Sequence, residues 1–250
     1  MIESGRHETP RSPASDADRR LIGEQIVACC RVLVGEGLVG GFGHVSRRLD
    51  TDSFSISGRV PLGTLSPEEV VTVRAARAAD SETAHLVPVE GAIHSAIYDA
   101  RPDVHAIVRT HGDFCSVLSL LGEPVRAVHG FGATLGERVP VHDVCELIET
   151  ADQAQHVAAD LADAQAVSLR GNGAVVCGGD LLEACVLAVY LEESARLQYR
   201  ARCVDSASTL RYLTAQEVAA ASANLGSRPQ LERAWKALCD RHHVTNLLAG

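Results

Sequence analysis

Charged and polar side chains close a short apolar run near the middle of the chain. Residues 90–111 predict a helix, a turn at 100–103 and a buried strand that ends in Arg109, Thr110 and His111. The residue before a proline avoids the helical region, so the helix is expected to end at the turn. Side chains alternate along a strand, which places Arg109 and His111 on the same side. Such a strand end can hold a catalytic site, although an ordinary surface turn after a core strand would show the same pattern.

A glycine-rich loop and a second strand end bring further polar side chains into consideration. Four glycines in residues 37–43 allow the backbone to approach a ligand closely, and His44 follows them directly. An alternating run predicts a strand that ends in Ser57 and Gly58. Arg59 comes next, and its planar guanidinium is suited to a carboxylate or a phosphate.

Two more candidates stand at strand ends in the second half of the chain. His129 follows a predicted strand over residues 125–128 and precedes a glycine-rich loop. Asn172 lies in a turn between predicted strands at 166–169 and 174–177. Both are at positions where a site residue would be expected.

The elements that must position these residues alternate between helices and short strands. Helical periodicity predicts helices over residues 17–37, 144–164 and 181–204, and two more between 214 and 248. Short turns join several of the strands, which favours a mixed sheet with helices on both faces. A single domain over residues 17–250, with C-terminal helices, is expected after a flexible polar arm at residues 1–16.

Composition excludes several classes of protein. The chain has 250 residues, a formal net charge of −9 and 46% hydrophobic residues. An acidic chain does not favour nucleic acid as a partner, and no apolar run reaches the ~18 residues that a membrane span needs. The N-terminus lacks the apolar segment of a secretory signal. Eight cysteines in apolar contexts, without a CxxC pair, favour buried free thiols and a cytoplasmic location.

Taken together, the motifs resemble the class II aldolase/adducin family over about residues 20–205. The family pattern is a Glu, a His four residues later, a Tyr, an Arg-Pro-Asp turn and a strand that ends in His-x-His. The corresponding residues here are Glu90, His94, Tyr98, Arg101-Pro102-Asp103 and Arg109-Thr110-His111. The family includes sugar-phosphate aldolases, a pentose-phosphate 4-epimerase, a dehydratase and several decarboxylases.

The resemblance carries expectations about fold, assembly and chemistry. It implies an α/β fold, a three-layer α-β-α sandwich with a central mixed sheet. It implies a homotetramer with active sites at subunit interfaces, and a small-molecule substrate rather than nucleic acid or membrane. It also implies that Glu90 is the acid/base group of the site.

The chain departs from the family at its metal site. Family members bind a divalent metal through three His, and the corresponding residues here are Arg109, His111 and Asn172. Arg stays protonated and cannot ligate, and an Asn carbonyl oxygen is a weak ligand for the transition metals that imidazole binds well. The three-His site is therefore broken, and only His111 remains.

Two alternatives follow from this departure. In the first, a divalent metal such as Zn or Mn is bound by His111 and His129, with Glu90, His44 or His94 completing the site. In the second, no metal is bound. Arg109 then supplies a fixed positive charge, and His111 and Asn172 donate hydrogen bonds to a developing oxyanion.

The substrate is expected to be a carboxylate without a phosphate. The sugar-phosphate aldolases have paired serines before the catalytic Glu, and this chain has Pro88-Val89 there. By the resemblance, Ser57 and Gly58 fit the place that binds the anionic end of the substrate. His44 stands where the family usually has Asn, which resembles the branch of decarboxylases that act on catechol-like and related acids.

These observations predict a carbon–carbon lyase acting on a small non-phosphorylated keto or hydroxyaromatic acid through an enolate-type intermediate, with decarboxylation as the first choice. Aldol cleavage or addition is one alternative, and a catalytically degenerate, adducin-like binding subunit is another. The expected catalytic residues are Glu90, Arg109, His111 and Asn172. The expected substrate-binding residues are His44, Ser57, Gly58 and Arg59.

Overall fold

A mixed sheet of seven strands forms the middle layer of the fold. The computed structural model describes residues 16–74, 84–204 and 210–248. Within these residues, the sheet order is β3-β2-β1-β4-β7-β6-β5, and only β5 and β6 pair in parallel. The strands are β1 (His44–Arg48), β2 (Ser53–Ser57), β3 (Val70–Arg74), β4 (Ala106–Thr110), β5 (Val141–His142), β6 (Ala166–Leu169) and β7 (Ala174–Gly178).

Seven helices accompany the sheet within the described part of the chain. They are α1 (Asp16–Gly35), α2 (Gly91–Ala100), α3 (Asp113–Leu120), α4 (Ala151–Leu161), α5 (Leu181–Val204), α6 (Ala215–Leu225) and α7 (Arg228–His242). Among the described residues, no helix is long and apolar enough to cross a membrane. The arm predicted at residues 1–16 lies outside the described residues except for Asp16, at which α1 begins.

Alternation along β4 separates two hydrophobic layers. Ala106 and Val108 face one side and pack in a cluster with residues of α1, α5 and α7. Ile107 faces the other side and packs with residues of α2 and α4. Helices therefore cover both faces of a mixed sheet, which confirms the predicted three-layer α-β-α sandwich.

Local capping corrects the prediction of a helix over residues 144–164. The helix α4 begins only at Ala151, because Thr150 and Gln153 form a capping box in which the Thr150 hydroxyl accepts from the Gln153 backbone N–H at 3.2 Å. Residues 144–149 are therefore not helical. The strand predicted over 125–128 is also absent, since this segment makes only an isolated bridge between Arg126 and Arg138.

The C-terminal helices pack against the α1 and α5 layer. Helices α6 and α7 are separated at Ser227, as the sequence predicted. Trp235 of α7 is fully buried among the α1 and α5 side chains, and its indole N–H donates to the Asn246 side-chain oxygen at 2.9 Å. This hydrogen bond satisfies the only polar group of the tryptophan side chain.

Candidate active site

One cavity of about 650 Å³ opens where the β1, β4 and β7 strand ends meet the start of α2. Its walls contain most of the residues that the sequence singled out. These are His44, Gly58, Arg59, Glu90, His111 and Asn172. Residues far apart in the chain are therefore brought together around one concave space that is open to solvent, as a small-molecule site requires.

Strand pairing places His44 beside Arg109. The two residues are direct partners in the antiparallel β1–β4 ladder, so their side chains lie on the same face of the sheet. Gly43, which directly precedes His44, has a φ of +109°. A Cβ at Gly43 would lie 2.7 Å from a methyl carbon of Val39 and 3.0 Å from the Arg109 carbonyl oxygen. The glycine allows the loop to turn tightly into β1.

Glu90 and Arg109 form a buried ion pair at the base of the cavity. The Arg109 Nε lies 3.1 Å from Glu90 Oε2, and the two side chains are 0% and 8% exposed. The Nη1 of Arg109 donates to the Thr110 carbonyl oxygen, while its Nη2 has no partner in the described part of the chain. Arg109 is not among the cavity-lining residues. Its charge therefore acts from beneath the cavity, and its contact with Glu90 holds that carboxylate in place.

Glu90 stands at the N-cap of α2, but its side chain does not cap the helix. Besides Arg109, it accepts a long contact of 3.5 Å from the Ile148 backbone N–H. Glu90 is 6% exposed, and this part lines the cavity. One carboxylate thus connects the buried guanidinium to the space where a substrate would lie.

His111 and Asn172 form a second polar pair in the cavity wall. Both side chains line the cavity and interact with each other, and Gly173 permits the approach of their two segments. Gly173 has a φ of +70°, and a Cβ there would lie 2.0 Å from the Thr110 carbonyl oxygen. Burial and then the charge of Arg109 lower the pKa of His111 to about 4, against the opposing effect of Asn172. His111 is therefore neutral at physiological pH.

His44 begins a chain of hydrogen bonds that runs from the cavity into the core. Its Nδ1 lies 2.6 Å from His94 Nε2, and His94 Nδ1 lies 2.5 Å from the Ser46 hydroxyl. Ser46 in turn lies 2.7 Å from the Tyr98 hydroxyl. Burial and neighbouring positive charge lower the pKa of His94 to about 3 and that of His44 well below its usual value. Both imidazoles are therefore neutral, and only His44 reaches the cavity.

Of the three residues predicted to bind the anionic end of the substrate at the end of β2, two line the cavity and the third is buried in the sheet. Gly58 and the exposed Arg59 line the cavity. Ser57 is fully buried, and its hydroxyl accepts from the Val45 backbone N–H at 3.0 Å. Ser57 therefore holds β1 against β2 and does not line the cavity.

The structure does not bring His129 to this cavity. Its Nε2 lies 3.0 Å from the Ser194 hydroxyl, and its ring packs against Phe131 next to α5. The segment before it is not a strand, so the prediction that His129 stands at a strand end is wrong. The predicted pairing of His129 with His111 is therefore not formed.

The residues around His111 do not fit a divalent metal of the family type. No group of three or more His, Cys, Asp or Glu side chains in the described residues is arranged to hold an ion. His44 and His94 are bonded to each other, and Glu90 is paired with Arg109. The guanidinium also disfavours positive charge at His111, as the lowered pKa of that imidazole indicates. The donor set is suited to binding an anion.

Several cavity residues were not identified from the sequence. Phe42 and Leu147 are exposed at 81% and 51%, and both line the cavity together with Val60 and Pro61. No motif marks these apolar residues, although the Thr150–Gln153 capping box would have excluded Leu147 from a helix. Pro88 and Val89, noted for their lack of hydroxyls, also line the cavity.

The chain is similar in sequence to two kinds of lyase. The family model for the Class II Aldolase and Adducin N-terminal domain matches residues 24–199. An L-fuculose phosphate aldolase of Escherichia coli is 28% identical over 182 residues, covering 72% of this chain and 83% of the aldolase. A 3,4-dihydroxyphthalate decarboxylase of Arthrobacter keyseri is 27% identical over 253 residues, covering 96% of this chain and 98% of the decarboxylase.

Solved structures agree on the fold. An aldolase II superfamily protein from Pseudomonas syringae superposes with a TM-score of 0.78 at 20% identity, covering 94% of this chain and 96% of that protein. At this identity the similarity establishes the architecture alone.

Proposed function

This chain belongs to the class II aldolase and adducin family, and on that premise we propose that it is a carbon–carbon lyase that decarboxylates a small, non-phosphorylated carboxylic acid. The substrate class is a keto acid or a hydroxyaromatic acid, in which the electrons released with CO2 can move onto a conjugated oxygen. The Glu90–Arg109 ion pair at the base of the cavity is the observation that carries the proposal.

The lining of the cavity supports a substrate without phosphate. Pro88 has no backbone N–H, and Val89 has no hydroxyl, so the segment before Glu90 offers little to a phosphate group. Arg59 is the arginine that lines the cavity, and its guanidinium can pair with one carboxylate at the entrance. Phe42, Val60 and Leu147 provide apolar surface for a ring or a short carbon chain.

The proposed reaction uses the residues in distinct roles. In a 3-keto acid the bond between the substrate carbon and its carboxylate breaks, CO2 leaves, the electron pair moves to the conjugated carbonyl oxygen as an enolate, and that carbon then takes a proton. In a hydroxyaromatic acid the ring carbon that bears the carboxylate takes the proton first, and the electron pair left by CO2 then restores the aromatic ring and its phenolate oxygen. The fixed charge of Arg109 beneath the cavity and hydrogen bonds from the wall stabilise this oxyanion. Glu90 takes up a proton from water and delivers it to the carbon that carries, or has just lost, the carboxylate, because its carboxyl group lines the cavity and is held in place by Arg109.

His111 and Asn172 are proposed to bind the substrate oxygens from the opposite wall. A neutral imidazole and a carboxamide can both donate hydrogen bonds, and neither adds charge beside Arg109. A divalent metal is not part of this proposal, since the donor set around His111 does not fit one. Arg109 supplies positive charge at the position that the first metal-binding His occupies in the family pattern.

The extent of the sequence similarity supports decarboxylation over aldol cleavage. The decarboxylase aligns with 96% of this chain and the aldolase with 72%, at nearly equal identity. Aldol cleavage passes through the same kind of enolate, so it is the second candidate, and the similarity to the L-fuculose phosphate aldolases favours it.

We also propose a homotetramer with its active sites at subunit interfaces, located in the cytoplasm. The family resemblance supports this assembly. The exposed side chains of Phe42 and Leu147 at the cavity rim also support it, because they form apolar surface that a neighbouring subunit would cover. All eight cysteines are free thiols, which is usual in a reducing compartment.

The direct test is CO2 release from 3,4-dihydroxyphthalate and from a panel of hydroxybenzoates and 3-keto acids, with L-fuculose 1-phosphate as the aldol substrate. We expect CO2 from at least one acid, product from the sugar phosphate at background level, and no loss of rate after chelator treatment. Glu90→Gln should lower kcat by roughly 100-fold or more, the range of a general acid/base group.

The matched control is Glu68→Gln, which changes an exposed glutamate outside the cavity and should leave kcat unchanged. Sugar phosphate cleavage without CO2 release would replace the proposal by aldol chemistry. Absence of both reactions would favour the binding subunit.

A further inference from the structure

The hydrogen-bond chain behind His44 contains more donors than links. It joins Tyr98, Ser46, His94 and His44 by three contacts of 2.7, 2.5 and 2.6 Å. When both imidazoles are neutral, each of the four side chains carries one polar hydrogen. Three hydrogens fill the three links, and one remains. The position of the remaining hydrogen decides which side of the His44 ring is a donor.

Only one end of the chain gives the remaining hydrogen access to a partner. Ser46 and Tyr98 are 0% and 4% exposed, and no further partner of either hydroxyl is found among the described residues. A spare hydrogen on either hydroxyl would be a buried donor without an acceptor, which costs about 1–3 kcal/mol. His44 is the member of the chain that lines the cavity, and its Nε2 has no partner among the described residues. The spare hydrogen is therefore best placed on His44 Nε2.

This placement fixes the direction of every hydrogen bond. The Tyr98 hydroxyl donates to Ser46, the Ser46 hydroxyl donates to His94 Nδ1, and His94 Nε2–H donates to His44 Nδ1. His44 must then carry its hydrogen on Nε2. Surrounding groups support the neutral state of both rings, because Arg109 lies across the strand pair from His44, and His111 is also nearby.

We infer that His44 is held as a neutral Nε2–H donor by Ser46, His94 and Tyr98, and that this donor binds the substrate oxygen on which negative charge develops. The ligand class is a phenolate or enolate oxygen next to a carboxylate. The inference rests on the proposed function for its reaction step, while the direction of the chain stands independently. His44 contacts the substrate, and His94, Ser46 and Tyr98 are positioning residues.

A donor of fixed direction would discriminate between substrates. An oxygen that accepts hydrogen bonds, such as a carbonyl or phenolate, is favoured at this position. A group that can only donate, such as an ammonium, would face the Nε2–H and the nearby Arg109 charge, and is disfavoured. On its cavity side the His44 ring itself presents a donor and no acceptor, unlike an Asn side chain, which presents both kinds of group.

The test is a long-range proton–nitrogen correlation spectrum of the full-length protein labelled with 15N-histidine, recorded at neutral pH. We expect both His44 and His94 to show a protonated Nε2 and an unprotonated Nδ1. Spectra of His44→Gln and His94→Gln assign the signals by their loss. His142 is an internal reference for a ring that is protonated at Nδ1, because its Nδ1 lies 2.7 Å from the Asp160 carboxylate and donates to it.

A second measurement tests the ligand contact with 3,4-dihydroxybenzoate as the probe. Saturating probe should move the His44 Nε2–H proton resonance downfield in the wild-type protein and leave the His142 signals unchanged. In His94→Leu, whose side chain can neither donate to nor accept from His44, the neutral His44 ring is no longer held in one tautomer, so both nitrogens should show partial protonation. Circular dichroism of each variant shows whether the fold is retained, and Ser46→Ala is the substitute if His94→Leu does not fold.

Defined outcomes overturn the inference. Protonation of His44 at Nδ1, or an imidazolium signal at neutral pH, contradicts the direction of the chain. A wild-type Nε2–H signal that does not respond to the bound probe contradicts the oxyanion contact. If an acid is turned over, His44→Leu, which has no donor, should lower kcat by about 100-fold with a small change in KM, as loss of one oxyanion donor does. Failure to release CO2 from any acid contradicts the proposed function and leaves the tautomer result to decide the inference.

Discussion

Arg109 carries a charge that has no contact with solvent, so its free energy depends on the carboxylate of Glu90. We expect Arg109→Met and Glu90→Gln each to lower the free energy of unfolding by roughly 3 kcal/mol, because each leaves the other partner buried and uncompensated. The double variant should lose clearly less than the sum of the two. Urea unfolding of the four proteins gives the coupling free energy.

The exposed pair Arg20–Glu24 is the control for this double-mutant cycle. Its Nε–Oε1 distance is also 3.1 Å, but the side chains are 74% and 37% exposed. We expect a coupling close to zero there, because water screens the pair and side-chain entropy opposes it. Additive losses at Glu90 and Arg109 would show that the buried contact contributes no specific stabilisation.

At the scale of single residues, the sequence predicted several of the side chains that meet at the cavity, but it did not predict the contacts that each of them makes. Glu90, His44, His111 and Asn172 line one cavity, and the resemblance of their motifs to the family pattern indicated them. The orientation of Arg109 was not predictable, because the acid that attracts its guanidinium lies on another element. His129 was placed by assuming a strand that does not form, since strand patterns do not reveal whether a pairing partner is available.

At the scale of elements, the turn between β6 and β7 determines whether Asn172 can reach His111. We expect Gly173→Ala to lower the free energy of unfolding by more than about 2 kcal/mol, since left-handed backbone costs an alanine roughly 1–2 kcal/mol and its Cβ would also overlap the Thr110 carbonyl oxygen. Chemical denaturation measures the loss, and the His111 imidazole signals should shift at the same time.

Gly122→Ala separates the clash from the backbone strain. Gly122 has a φ of +69°, almost that of Gly173, but none of the residues that the structure describes places an atom within 4 Å of the Cβ position. We expect this variant to lower the free energy of unfolding only by the cost of the left-handed conformation and to leave the His111 imidazole signals unchanged. Equal losses for the two alanine variants would contradict the proposed close approach of the two segments.

The element boundaries show where sequence patterns are informative. The predicted and observed starts of α2 and α6 agree closely, because a proline or a capping residue marks each one. The start of α4 was misplaced, since apolar periodicity continued into residues 144–149 while the capping box lay further along. The consequence is functional, because the non-helical segment places Leu147 in the cavity wall and the Ile148 N–H next to Glu90.

At the scale of the whole molecule, buried neutral histidines make stability depend on pH. The pKa of His94 in the folded chain is about 3, and its ordinary value is 6.5. Below pH 6.5 the unfolded chain therefore binds a proton that the folded chain excludes, and stability falls as the pH falls. Above 6.5 both states are neutral, and this contribution is fully present.

We expect His94→Gln to flatten this dependence. The slope of unfolding free energy against pH should become shallower by up to about 1.4 kcal/mol per pH unit below 6.5, the value for one proton. Urea unfolding at several acidic pH values measures the slope. His105→Gln, at an exposed position, should change the slope much less. Parallel curves for wild type and His94→Gln would show that His94 is protonated in the folded state.

The overall architecture was the most predictable feature. Alternating helices and strands together with one family resemblance indicated a three-layer sandwich, and both faces of the observed sheet are covered by helices. The order of the strands and the depth of the cavity were not predictable, because they depend on pairings between residues distant in the chain. The β1–β4 pair that aligns His44 with Arg109 is the clearest example.

Trp235 is the only tryptophan in the chain, and it is fully buried with its indole N–H hydrogen-bonded to Asn246. Ultraviolet emission excited at the red edge of protein absorption therefore comes from a single fluorophore in an apolar environment. Its emission maximum reports detachment of α7 from the α1 and α5 layer, at a location outside the lining of the active-site cavity. Opening of the C-terminal helices can thus be followed optically in the unmodified protein, separately from events at Glu90.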